Sequence, residues 1–272
     1  ARLTLQLAHS LFENTDCHWS LAKTRQGRMA SQKSELADVT RLAAYYRESL
    51  TLNDSAALPL ICFYSVERYV DEPSVALTKK THFDQFDGYD NSNVSFRRFF
   101  AWFRQREDIE NEQLINPAAL AELKKHLPEE QYQAALLGQQ QLKDKQLEAV
   151  RQAIDIFMPD YRNLKIRRKP RLHMTVEKDG EVLDVAQLSQ GEKSLMALIG
   201  DIARRLAMMN PANDNPLAGD GIVLIDEVDI HLHPQWQRCL IDKLSHTFPR
   251  CQFVLTTHSS LVISDPQKVL WH

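Results

Sequence analysis

Apolar positions along the chain change their period several times, and each change marks an element. Residues 58–64 (LPLICFY), 222–225 (IVLI) and 253–255 (FVL) are short uninterrupted apolar runs, β-branched or aromatic enough to be buried strands. The run at 222–225 predicts a strand covered on both faces, as in parallel sheets. A shorter strand is expected at 17–21, and a hairpin across 176–185, where Lys178-Asp179-Gly180-Glu181 supplies the turn. Helical spacing takes over at 34–50 and at 96–106, where Phe96, Phe99, Phe100, Trp102 and Phe103 form an aromatic face. It returns across 117–158, with Leu147, Val150, Ile154 and Phe157 recurring until Pro159. Leu195, Ile199, Ile202, Leu206 and Met209 make one stripe of a helix that opens at Ser189 and stops at Pro211. Residues 70–93 carry Pro73, Gly88 and several Asp and Asn, and read as loop.

Composition narrows the class. With 272 residues, 43% hydrophobic, the chain can bury one large α/β core with an inserted lobe. A formal charge of −3 excludes general affinity for nucleic acid or anionic membrane, so such contacts require a local patch. Cys17, Cys62, Cys239 and Cys251 lack CxxC spacing, which predicts reduced thiols in a cytoplasmic protein. No apolar stretch approaches a membrane span. Ala1 is not an initiator methionine, and residues 2–12 read as the middle of an element, so a segment is expected upstream.

Four segments carry candidate chemistry. Ser189-Gln190-Gly191-Glu192 is a capping box with Ser189 as N-cap and Glu192 as its third helical residue. The same helix tip can hold a phosphate, with Gly191 removing a side chain where backbone must approach an anion. Asp226 and Glu227 follow the 222–225 strand directly, and burying two carboxylates there is costly unless a cation or a reaction needs them. His231 and His233 lack a third ligand at sensible spacing, so a metal pair is disfavoured, and Pro234 suits the first turn of a helix with Trp236, Leu240 and Leu244 on one side. Residues 162–171 hold six basic side chains, either a solvated cationic edge strand or a nucleic-acid phosphate contact. No GxxxxGK[ST] phosphate loop occurs; around Lys193-Ser194 the glycine positions are Gln187 and Glu192.

Taken in order, LSQGE at 188–192, IDEVDIHLHPQWQ at 225–237, TTHS at 256–259, and FFAWFRQREDIENE at 99–112 resemble the ATPase heads of the ABC, RecF and OLD type. Within that group the resemblance is to the PtuA-type ATPases of Septu and retron anti-phage systems, over residues 58 to 265. It implies an α/β ABC-type P-loop head with a largely parallel sheet, an antiparallel β lobe and a helical insertion. The expected division is 1–94 (partial N-terminal ATPase lobe, phosphate loop absent), 95–160 (helical insertion) and 161–272 (C-terminal ATPase lobe). Residues 1 to 12 would be the remains of the helix after the missing loop.

By that resemblance ATP and Mg²⁺ are the cofactors. Asp226 would bind the metal, Glu227 and His258 would be catalytic, and Ser189, Gln190, Gly191, Glu192 and Asp229 would contact nucleotide. Asp229 sits in the loop that crosses to a partner head, and the tip of one head would complete the site of the other in a homodimer. An HNH nuclease partner is implied, with a reverse transcriptase and its RNA–DNA hybrid in retron versions, and contact with DNA. A repair or recombination ATPase, or a low-turnover nucleotide-clamped scaffold, are the alternatives.

Overall fold

The computed structural model describes residues 2–7, 9, 16–23, 33–66, 83–89, 96–115 and 117–263, and the chain divides into two units at Ala56 and Ala57. In the first unit, β1 (Arg2–Leu7) pairs antiparallel with β2 (Cys17–Ala22), and α1 (Ala37–Leu52) follows. The expected helical remnant at residues 1 to 12 is therefore a strand over Arg2–Leu7. Its sequence explains this, because Leu3, Leu5 and Leu7 alternate with Thr4 and Gln6 at the strand period of two. Cys17 and Leu42 anchor a small apolar cluster with Leu7, Trp19 and Tyr46.

The second unit is built on a parallel sheet. Its strands are β3 (Leu60–Tyr64), β7 (Gly221–Ile225) and β8 (Cys251–Leu255), with β7 in the middle. Among the described residues after β3, the chain makes a 3₁₀ turn at Gln85–Tyr89 and then the helices α2 (Phe96–Gln113), α3 (Pro117–His126), α4 (Glu129–Gln141) and α5 (Lys145–Phe157). An antiparallel sheet follows, β4 (Tyr161–Arg167), β5 (His173–Lys178) and β6 (Glu181–Asp184), and then α6 (Gln190–Met209). The helix α7 (Pro234–Thr247) joins β7 to β8. The α/β architecture read from the sequence, parallel sheet with antiparallel lobe and helices, is present. Most of the expected loop at 70–93 lies outside the described residues.

The helix α6 runs through the core, and every residue from Leu195 to Met209 is buried. That includes Asp201, which accepts from Tyr64 Oη at 3.0 Å, Arg204 Nη2 at 2.7 Å and Arg205 Nε at 2.6 Å. The two guanidiniums outweigh burial and hold the Asp201 carboxyl well below the usual carboxylate range. Two acids from the 107–112 stretch, Glu107 and Glu110, are also buried. Glu107 accepts from Ile166 N at 3.1 Å and Glu110 from Arg151 Nη1 at 3.0 Å, which fastens α2 to β4 and α5.

The parallel sheet departs from expectation in one respect. Val223 and Ile225 are buried at 0% and 1%, but Ile61, Phe63 and Val254 on the flanking strands are 53%, 55% and 48% exposed. Among the described residues, then, one sheet face packs on the core and the other is not fully covered. An apolar run reports how a strand could be buried, and cannot say what lies on each side.

Candidate functional site: the edge of the parallel sheet

The acidic pair lies at the C-terminal edge of the central strand. Asp226 continues the ladder, its amide donating to Tyr64 O at 2.9 Å. The chain then turns sharply, with Glu227 at φ 43°, a left-handed conformation that strains a non-glycine residue. Thr256, one residue past β8, fixes that turn: Glu227 N donates to Thr256 Oγ1 at 2.7 Å, and Thr256 Oγ1 donates to Asp226 Oδ1. His258 is in the same loop, its Nε2 3.9 Å from Glu227 Oε1, with side-chain exposures of 88% and 36%. Three of the sequence-predicted residues therefore meet at one accessible edge.

Asp229 lies in the next turn, its carboxylate accepting from Thr257 Oγ1. His231 has φ 62° and its carbonyl faces the tip of α6: a Cβ at Gly191 would stand 2.2 Å from His231 O. The side chain missing at Gly191 thus admits a backbone carbonyl of the same chain. Ser189 caps α6, with Glu192 N donating to Ser189 Oγ at 3.3 Å and Ser189 N to Glu192 Oε2 at 2.7 Å. Ser189 and Gln190 are exposed. The Glu192 carboxylate is engaged within its own chain, accepting from Tyr161 Oη and from Lys178 Nζ at 2.9 Å. Burial opposes its ionisation, but donation from Tyr161, Lys178 and the Ser189 amide outweighs that and brings its pKa down to about 2. The helix tip and the 229–232 turn form one continuous surface at that point.

His233 is the N-cap of α7, its Nδ1 accepting from Gln235 N at 3.3 Å with Pro234 in the first turn. Among the described residues no group of three or more His, Cys, Asp or Glu could hold a metal ion. Mg²⁺ keeps waters and phosphate oxygens and takes only one or two carboxylates from protein. Asp226, an oxygen donor beside an accessible edge, fits this role. The basic residues of 162–167 lie on β4, an edge strand of its sheet, with Leu164 and Ile166 facing inward. Beside it a polar cavity of about 570 Å³ is lined by Glu107, Glu110, Arg151 and Lys165, and contains none of the predicted site residues.

Sequence reasoning missed Thr256, Thr257, Ser259 and Gln237, whose side chains hold these loops together. In the TTHS run only the histidine carries a chemical signal at the level of sequence.

Residues 71–264, more than half of the 272, match the family described as "AAA domain, putative AbiEii toxin, Type IV TA system". The chain belongs to this family of AAA ATPases. It is 38% identical to the "Retron Vc95 probable ATPase" of Vibrio cholerae serotype O1 biovar El Tor, over 90% of this chain and 53% of that protein. It is 42% identical to the "Septu protein PtuA" of Bacillus mycoides over 27% of this chain and 10% of that one. The chain spans about half the length of the retron relative. Among solved structures, the SMC head domain from Thermotoga maritima overlays 44% of this chain and 40% of its own, at 21% identity and a TM-score of 0.32. The match over residues 71–264 thus establishes the family of the chain. No described helix of this AAA ATPase is long and apolar enough to cross a membrane.

Proposed function

We propose that this AAA ATPase is a head that binds ATP with Mg²⁺, pairs face to face with a second copy, and hydrolyses ATP to regulate a nuclease partner in anti-phage defence. The carrying observation is the strained, accessible Glu227, pinned by Thr256 beside Asp226 and 3.9 Å from His258. In this proposal Glu227 orients the attacking water and takes its proton, and His258 holds the γ-phosphate from the same edge. Asp226 holds Mg²⁺, which neutralises phosphate charge when bound. Ser189, Gln190 and Gly191, at the tip of α6 on the opposed copy, present helix N–H groups and partial positive charge to the triphosphate. Glu192 acts behind them, keeping the tip in register with β4 and β5 through Tyr161 and Lys178. Asp229 orders the turn that faces the other copy.

The phosphate-gripping loop is proposed to come from chain outside residues 1–272, in keeping with the length of the retron relative. An HNH nuclease is the proposed partner, with a reverse transcriptase and its RNA–DNA hybrid in a retron setting, and DNA as a contacted ligand.

The test is Glu227→Gln in the full-length protein. Phosphate release should fall by about 10²–10⁴-fold, as for loss of a general base. ATP-driven pairing, followed by light scattering, should persist. Hydrolysis at the wild-type rate would remove Glu227 from the chemistry.

A further inference from the structure

One side chain ties together the two loops that carry the proposed chemistry. Gln237 sits one turn into α7, and both ends of its amide are used. Its Nε2 donates to Leu232 O at 2.8 Å, with Asp229 O at 3.4 Å, and its Oε1 accepts from Ser259 Oγ at 2.7 Å. The links continue around a ring. Ser259 N donates to Thr257 Oγ1 at 3.0 Å, and Thr257 Oγ1 donates to Asp229 Oδ1, whose own carbonyl is the one Gln237 approaches. His258 lies between two members of this ring, with its imidazole 88% exposed. Its neighbours, and not burial of the ring, therefore set its position.

The opposite side of the same turn faces α6, where a Cβ added at Gly191 would stand 2.2 Å from His231 O. The turn is consequently held between the helix tip and Gln237. A displacement of 229–232 at the face offered to a second copy reaches Ser259, and with it His258, through one amide. The chemistry of the position is specific, because it needs a donor toward Leu232 O and an acceptor toward Ser259 Oγ at the same reach. Leucine supplies neither, lysine only donates, and an ionised glutamate only accepts.

We infer that Gln237 is a positioning residue for hydrolysis, coupling the 229–232 turn to His258 through Ser259. This rests on the function proposed above. A merely structural role would lower thermal stability without separating turnover from nucleotide affinity, and the experiment is chosen on that difference. In the full-length protein, Gln237→Leu, Ser259→Ala, the two together and Ser259→Thr are compared with Glu227→Gln, measuring kcat, binding of a fluorescent ATP analogue, and the melting temperature. The expectation is that Gln237→Leu and Ser259→Ala each lower kcat by about 10- to 100-fold, the scale of a 1 Å misplacement. Analogue affinity should change by less than about threefold. The double variant should be no slower than the slower single, as for two members of one linkage. Ser259→Thr, which keeps the hydroxyl, should recover most of the rate.

Wild-type turnover in folded Gln237→Leu, multiplying losses in the double variant, or a Ser259→Thr as slow as Ser259→Ala would each overturn the inference while Glu227→Gln remains inactive. If Glu227→Gln hydrolyses normally, the underlying assignment fails instead, and the inference with it. Should Gln237→Leu not fold, the two Ser259 variants decide.

Discussion

Gly191→Ala puts the contact between the helix tip and the 229–232 turn to a quantitative test. The added methyl would lie 2.2 Å from His231 O, where carbon–oxygen contacts ordinarily close no nearer than about 3.3 Å. Something must yield by about 1 Å, and neither side yields cheaply. The tip is fixed by its reciprocal capping bonds, and the turn by a left-handed His231 and by the bond from Gln237 to Leu232 O. Overpacking of this kind costs about 1–3 kcal/mol. Alanine in a helix returns about 0.5–1 kcal/mol relative to glycine. The net destabilisation then falls between about 0 and 2.5 kcal/mol, centred on about 1 kcal/mol, a fall of a few degrees in melting temperature for a chain of this size. A control lies in α4, where a Cβ at Gly138 meets nothing within 4 Å, so Gly138→Ala should gain the helix term alone. Melting both variants without nucleotide separates the two accounts of Gly191. A melting temperature that rises in Gly191→Ala as it does in Gly138→Ala would show that the methyl meets no carbonyl. The glycine would then serve an anion only.

Two further outcomes are expected. Glu227→Gly and Glu227→Ala should both abolish turnover, but the glycine variant should be the more stable by about 1 kcal/mol, since only the alanine retains the left-handed penalty; equal stability in denaturant titrations would mean the turn carries no such strain. Acid titration should expose the clamp on α6: the Glu192 pKa is depressed from 4.5 to about 2, so its stabilisation is complete above pH 4.5 and fades as pH falls toward 2. Glu192→Gln should flatten that part of the stability profile, and an unchanged acid limb would remove Tyr161 and Lys178 as its partners.

Much of the scaffold was legible in local pattern. The apolar runs gave β3, β7 and β8, the stripe from Leu195 to Met209 gave α6, and Lys178–Glu181 gave the β5–β6 turn, where Asp179 and Gly180 adopt φ 52° and 81°. The place of the acidic pair at the end of β7 was legible too, but not the reason offered for it, since Asp226 and Glu227 are partly exposed and not buried. What escaped was every feature set by partners distant in sequence. Nothing within the 99–112 segment marks Glu107 and Glu110 as buried, yet each is buried against residues tens of positions away. Gly191 was assigned an anion, and its near neighbour is a carbonyl forty residues on. Gln237 carries no periodic signal at all, since its importance lies in which two loops it happens to span. The Arg2–Leu7 strand is a different failure: its alternation was visible, and the resemblance to a helix-bearing family outweighed it.

Tyr64 joins the end of β3 to both the acidic edge and the long helix. Its carbonyl accepts the Asp226 amide, while its hydroxyl reaches across the core to Asp201 in the middle of α6. The strand end and the long helix are thereby pinned at a single rivet, reinforced by two buried guanidiniums that would be stranded if the helix slid or rolled. On the function proposed above, the Asp226–Glu227 edge and the body of α6 would travel together as a stiff plate, and the pivot of any opening stroke would lie outside this pair of elements.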